Sequence, residues 1–253
     1  MTPALAILGD FGEAIEFIFK ERESVSGGVQ IGGIPELAGF GATHMIVSVA
    51  ALAIAAALAI PLALWLGHIG RGDFLATATS NVGRAIPSLA LLAFFISFIG
   101  LGYTNVIFVL VLLAIPPLIT NTYVGVRQVD RDTVDAARGQ GMTGTELVRK
   151  IELPLALPSI FGGLRTSAVN VVATATIAPL ANVQTLGEPI ITPQTYGFVG
   201  QLGAAIVVAV ITIAVDFAFA RLQRAVTPAG LKLAEPAARR RFSLPTRRRL
   251  DST

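Results

Sequence analysis

Charged residues are missing from long stretches of this chain and crowded into short ones. No charge occurs between Met45 and Gly67, and none between Ala85 and Val126. The first run is long enough to cross a hydrocarbon layer of about 30 Å at ~1.5 Å per residue. The second is too long for one crossing and is interrupted by Gly100-Leu-Gly-Tyr-Thr-Asn105, which predicts a helical hairpin with a tight outer turn. Its first helix is expected to begin before Arg84, because Phe74 to Thr79 is also largely apolar. Two further apolar runs follow, with Arg165 near the start of one and Asp216 near the end of the other. The pattern predicts an all-α membrane protein with five transmembrane helices, at about 45–67, 76–100, 104–123, 159–180 and 198–220.

The flanks differ in kind. Residues 4–20 are apolar but carry Asp10, Glu13 and Glu16 at helical spacing, which predicts an amphipathic helix lying in the outer interface. Residues 24–41 are Gly-rich and read as a loop. Three regions follow: an extracytoplasmic segment 1–42, a permease-like membrane domain 43–226, and a basic tail 227–253 with two Arg triplets, expected to be disordered.

Charge adds orientation. The segments 68–84, 127–150 and 221–253 hold most of the Arg and Lys. The alternate segments hold almost none: 101–105 has no charge, 181–197 has only Glu188, and 1–42 has Lys20 and Arg22 against six acids. By the positive-inside rule the basic segments are cytoplasmic, with the N-terminus outside and the C-terminus inside, in a multi-pass cell membrane protein. Composition agrees: 53% of the 253 residues are hydrophobic and only 14% charged, where a soluble domain carries roughly a quarter. There is no cysteine, so disulfides, thiolate nucleophiles and Cys-based metal sites are excluded. His44 and His68 sit at opposite ends of one apolar run and read as interfacial polar residues, so no metal site is expected. The N-terminus lacks the basic n-region of a cleaved signal peptide.

The informative segment is the cytoplasmic loop 127–154. It reads as two short helices around a glycine break. Asp132 can cap the first, and Gly139 or Gly141 can end it. Thr143 and Glu146 have the spacing of a capping box for the second helix, Glu146 and Lys150 form an i,i+4 pair, and Pro154 is expected to stop it. Ala136 and Ala137 give the first helix a small-residue face that another surface can approach closely.

This loop resembles the "EAA" motif of ABC-importer permeases: Glu-Ala-Ala, three residues, Gly, nine residues, Ile-x-Leu-Pro. Here it stands as Asp135-Ala136-Ala137, Gly141 and Ile151-Glu-Leu153-Pro154, at the same spacings and with Asp in place of Glu. The resemblance continues through Ala85-Ile-Pro-Ser-Leu-Ala90, Asn121-Thr-Tyr-Val-Gly125, Glu152-Leu-Pro-Leu-Ala-Leu-Pro158 and Gly163-Leu-Arg-Thr166. Those segments look like the osmoprotectant branch, which takes up glycine betaine, choline, carnitine or proline betaine. Past Ala178 the likeness weakens. The resemblance implies a type I importer permease bundle whose coupling helix, carried by Asp135, Ala136, Ala137, Gly141, Ile151, Leu153 and Pro154, docks on an ATPase subunit. It also implies a second permease, identical or homologous, and an extracytoplasmic solute-binding protein.

The chain is therefore expected to be a transport subunit, not an enzyme, with no catalytic residues, no nucleic-acid partner and no cofactor of its own. It has no Gly-x-x-x-x-Gly-Lys-[Ser/Thr] loop, so ATP and Mg are expected in the partner chain. Asn170, Thr174 and Thr176 put polar groups on the fourth crossing, for helix-to-helix bonding or for lining a translocation path. Arg165 and Asp216 read as topological or pairing charges. Quaternary amines are commonly held in aromatic cages. With one Trp and three Tyr, no cage is legible in the crossings, which fits selection by an external protein. The rival solute class is an amino acid such as methionine. A secondary transporter would call for inverted repeats and midplane carboxylates, and a membrane enzyme for a nucleophile, metal or acid pair; none is legible.

Overall fold

The computed structural model describes residues 3–227; the expected basic tail lies outside them but for Thr227. Among the described residues, four helices are long and apolar enough to cross a membrane: α2 (Gly33–His68), α5 (Tyr103–Arg127), the continuous rod Gly144–Ala181, and α10 (Pro193–Val226). Within the rod lie α7 (Gly144–Leu147), a π turn (Val148–Glu152), α8 (Leu153–Thr174) and a 3₁₀ turn (Ala175–Ala181). Before it comes α6 (Arg131–Gly139), and after it the short α9 (Glu188–Ile191). At the N-terminus α1 (Pro3–Phe19) is followed by an antiparallel hairpin of β1 (Glu21–Glu23) and β2 (Gln30–Gly32).

The segment expected as the second crossing, 76–100, is two helices: α3 (Asp73–Ala85) and α4 (Ser88–Ile99). The break falls at Ile86-Pro87, with Pro87 extended at φ −66°, ψ 120°. A proline pushes the residue before it out of the α region, and its own nitrogen has no proton to continue the ladder. The start of α2 also differs from expectation. Residues 24–41 are not one loop: the helix begins at Gly33, so the boundary between segments 1–42 and 43–226 runs through it. Gly32 donates its N–H back to the Glu36 carboxylate, and Tyr196 donates its hydroxyl to the other Glu36 oxygen at 2.8 Å. These bonds give the first turn of α2 partners that the glycine composition does not advertise.

Helix α5 lies at the centre of the bundle, with α2 on one side and α8 on the other; α10 packs on α8, and α3 and α4 on α5. The α2–α5 seam is built from small residues at every fourth position: Val47, Ala51, Ala55, Ala59, Ala63 and Gly67 are all buried. Fourfold spacing keeps them in one row on a 3.6-residue helix, and short side chains let two backbones approach. A Cβ on Gly67 would stand 2.8 Å from Val126 Cβ, so the seam closes on hydrogen there.

Polar contacts join helices of the bundle. His44, expected at the interface, is fully buried and bonds through Nε2 to Val172 O at 2.8 Å, α2 to α8. Ser167 donates to Ala114 O at 2.8 Å, α8 to α5. Arg165 and Asp216 form a two-pronged ion pair, Nε–Oδ1 2.5 Å and the second prong 2.7 Å, α8 to α10. A lone carboxylate at that depth is costly. Arg165→Ala is therefore predicted to lower stability by leaving Asp216 unpaired, while Arg165→Leu with Asp216→Leu recovers most of the loss. Thermal melts in detergent check this; equal losses in the single and double variants would contradict it.

Helix α1 lies against α10, with Phe17 buried between Gly200 and Gly203. Its acids Glu13 and Glu16 face outward and Lys20 donates to Glu16 at 2.6 Å.

Candidate functional site

The loop that joins α5 to α8 is a body of its own. Val129, Val134, Ala137 and Leu147 form a closed apolar cluster, with Met142, Ile151 and Leu155 packed on it, separate from the core of the bundle. Its first helix, α6, is capped by Asp130, whose carboxylate accepts from Thr133 N–H at 3.0 Å. Asp130, not Asp132, fills that place because Asp132 is already inside the first turn. The helix ends where Gly141 turns left-handed at φ +86°. Its N–H bonds Arg138 O at 3.0 Å, and Met142 N–H bonds Ala137 O at 3.3 Å, the paired closure of a Schellman terminus. Thr143 and Glu146 form a complete capping box, and Lys150 bonds Glu146 at 2.9 Å.

Pro154 does not stop the second helix. Residues Val148–Glu152 widen into the π turn, with Leu153 N–H bonded to Val148 O. A proline cannot donate to the carbonyl four residues back and crowds it. Opening one turn ahead of it removes that conflict and lets the rod continue into the bundle.

The motif residues divide by direction. Ala137 points inward, 5% exposed, and holds α6 to Leu147. Asp135, Ala136 and Gly141 are exposed, and among the described residues Asp135 pairs only with Arg138, at 3.5 Å. So the small-residue face is not made of both alanines: Ala136 alone presents it outward. Ile151, Leu153 and Pro154 are half-buried where the rod enters the bundle. Between Ile151 and Leu153 stands Glu152, 5% exposed, with a carboxylate oxygen 2.8 Å from His68 Nδ1 at the end of α2. The sequence reads His68 as an interfacial polar residue and Glu152 as the variable position of the motif, and does not pair them. The pair's signal was a lone carboxylate between two apolar residues at the edge of a crossing.

On α8 the exposed residues are Thr166, Asn170 and Ala173, an outward stripe of polar and small side chains along one face. Asn170 makes no side-chain hydrogen bond among the described residues, and Thr174 is half-buried beside it. Thr176 is not on that stripe in the same sense: its hydroxyl bonds back to Ala173 O at 2.8 Å, in the 3₁₀ turn. Beyond it the chain folds back on itself. Asn182 turns left-handed at φ +60°, Thr185 donates to Ala175 O at 2.9 Å, and Gly102 N–H reaches Ala181 O at 2.7 Å. Ala175, Ala178, Ala181 and Leu186 are fully buried in this plug. A Cβ on Gly187 would fall 1.8 Å from Thr176 O.

Comparison with known proteins places this architecture. The family described as binding-protein-dependent transport system inner membrane component matches residues 59–229. The glycine betaine/carnitine/choline transport system permease protein OpuCB of Bacillus subtilis (strain 168) is 34% identical over 197 residues, covering 75% of this chain and 88% of that protein. The choline transport system permease protein OpuBB of the same organism is 35% identical over the same coverage. The carnitine transport permease protein OpuCB of Listeria monocytogenes is 34% identical over 190 residues, 75% of this chain and 87% of that one. Among solved structures, the MetNI methionine ABC transporter in inward-facing conformation gives a TM-score of 0.66 at 20% identity, over 77% of this chain and 98% of that one; at that identity it speaks for the fold alone. With the family matched over more than half its length, and the long apolar helices and the folded loop between them in place, this chain belongs to the binding-protein-dependent transport inner membrane components, as a permease subunit of the osmoprotectant family of ABC importers.

Proposed function

We propose that the chain crosses the membrane five times and carries a small osmoprotectant (glycine betaine, choline, carnitine or proline betaine) inward at the expense of ATP hydrolysed by a partner subunit. Identity of 33–35% to several Opu permeases across about three quarters of the chain carries the solute half of this reading. In it, α3 and α4 together make the second crossing, the N-terminus is outside, and the loop 127–154 lies in the cytoplasm, where Asp135, Ala136 and Gly141 meet the ATPase. The stripe of Thr166 and Asn170, with Thr174 beside it, faces the path, shared with a second permease copy or homologue. An extracytoplasmic binding protein delivers and selects the solute.

The aromatic side chains suit that division of labour. Tyr123 is buried and donates to Asp73 at 2.7 Å, Tyr196 is tied to Glu36, and Trp65 and Tyr103 stand at opposite ends of the bundle. These four do not gather around one point where a quaternary ammonium could be caged.

Uptake of radiolabelled choline and glycine betaine decides it, in cells lacking their own systems and supplied with this chain, its ATPase and its binding protein. Energy-dependent accumulation of either is expected. Transport of methionine in place of both would overturn the solute class and keep the importer. Topology is tested on the cysteine-free chain with single cysteines at Thr104 and Thr145. A membrane-impermeant thiol reagent added to whole cells should label the first and not the second; labelling of the second would reverse the orientation.

A further inference from the structure

We propose that His68 and Glu152 are positioning residues that link the docking loop to the first crossing, α2, and that uptake stays geared to ATP hydrolysis only while they touch. The inference rests on the reading of the loop as the ATPase contact.

Three observations carry it. The loop is a separate body, because its apolar cluster is closed and distinct from the core of the bundle. Arg127, the last residue of α5, bonds Tyr123 on the same helix; from Asp130 onward the loop's other side-chain hydrogen bonds among the described residues are internal: Asp130 to Thr133, Arg138 to Asp135, Thr143 to Glu146, Lys150 to Glu146. Of the side-chain hydrogen bonds made from Asp130 onward, the contact of Glu152 with His68, 2.8 Å, leaves the loop, and it lands on the last residue of α2. The imidazole also lies against the other end of the loop's second helix: a Cβ on Gly144 would stand 3.2 Å from His68 Nε2. His68 thus touches both the first and the last turn of the segment that runs from the glycine break to the π turn.

The chemistry argues for a dedicated contact. A carboxylate buried to this degree is unfavourable unless a donor meets it, and an aliphatic side chain of similar volume would pack there at less cost. A motion of the loop as one body, driven from the ATPase side, must push or pull on α2 through this pair. The π turn beside it can lengthen or tighten by one hydrogen-bond register without breaking the rod, so the loop can shift while α8 stays seated in the bundle.

The test measures solute moved per ATP hydrolysed, with radiolabelled choline as probe. It uses the complete complex of this chain, its ATPase and its binding protein in liposomes. His68→Asn is the conservative variant, because its amide nitrogen occupies the place of Nδ1 and can still donate to Glu152. His68→Leu with Glu152→Leu removes both partners and leaves no buried charge, so it should fold. We expect His68→Asn to keep the wild-type ratio. The double variant should lower it about tenfold, the scale of one charge-assisted hydrogen bond, with ATP hydrolysis and the amount of bound ATPase subunit unchanged. If the pair only stabilises the fold, the apolar double variant transports at the wild-type ratio, which overturns the link. Loss of the ATPase subunit from the double variant would mean that the pair serves assembly, and overturns it equally. Wild-type complex run alongside separates the two readings: absence of ATP-driven uptake there removes the importer reading, whereas uptake with an unaltered ratio in the double variant removes the link alone.

Discussion

Ala136→Glu is expected to strip the ATPase subunit from the purified complex while leaving the permease itself folded and inserted. The expectation follows from the direction of the side chain. Ala136 is exposed on the loop, and its neighbour Ala137 supplies the packing against Val134 and Leu147. A glutamate at 136 therefore meets only solvent in the free chain. Against a closely fitted partner it is a buried, unpaired charge, which costs about 3–5 kcal/mol, or a factor of about 10²–10³ or more in subunit affinity. Two comparisons sharpen the result. Ala137→Glu should unfold the loop itself, since it puts the charge into the apolar cluster, and should lower the melting temperature of the isolated chain. Gly141→Val meets no atom within 4 Å but must hold φ +86°, a strain of about 1–2 kcal/mol for a residue with a Cβ. We predict that it keeps much of the ATPase and transports poorly. Co-purification, melting and uptake are the three measurements. Stoichiometric ATPase and full uptake with Ala136→Glu would show that this face docks nothing.

Gly187→Ala should be the most damaging single methyl in the membrane domain. Its Cβ would fall 1.8 Å from Thr176 O and 2.5 Å from Thr176 C. Those are backbone atoms, so no rotamer change relieves the contact. The plug would have to move, and it is held by Thr185 to Ala175 O, by Gly187 N–H to the Thr185 hydroxyl, and by Gly102 N–H to Ala181 O. We predict a loss at or beyond the upper end of the overpacking range, about 3 kcal/mol, read as a collapse in the yield of monodisperse protein from detergent. Gly162→Ala is the control, because its nearest atom, Gln223 Nε2, stands at 3.5 Å, an ordinary contact. Equal yields for the two variants would mean that the approach of Gly187 to Thr176 is not tight in the folded protein.

The loop was the most legible part of the chain because its signals are local. The capping box of Thr143 and Glu146, the left-handed Gly141 and the Glu146–Lys150 pair each depend on residues a few positions apart, and hydrogen-bond chemistry fixes their spacing. Where local reading missed, a longer-range partner or a neighbouring turn had intervened. Asp132 has the chemistry of a cap, but the chain enters α6 two residues earlier, at Asp130. Pro154 has the chemistry of a stop, but a π turn ahead of it absorbs the missing donor. Ile86-Pro87 lies within the segment 76–100, which hydropathy reads as a single span and proline chemistry makes into two helices.

By itself, then, the sequence determined that the protein is a helical membrane bundle, roughly where its apolar helices lie, and which loop is built from short capped helices around a glycine break. Hydropathy and capping are properties of a residue and its near neighbours, and a bilayer demands that every backbone group be bonded within its own segment. What only the tertiary structure decided is which polar side chains face one another. Arg165 meets Asp216, His44 meets Val172, His68 meets Glu152, and Gly187 meets Thr176, across separations in sequence from 11 to 128 residues. These pairings follow from how the helices pack, and helix packing is set by small-residue seams such as Ala51, Ala55, Ala59 and Ala63. Such a seam is visible as a pattern on one helix. Its partner is not, because within a bilayer any apolar face can receive it and only close fit between particular backbones selects the one that does.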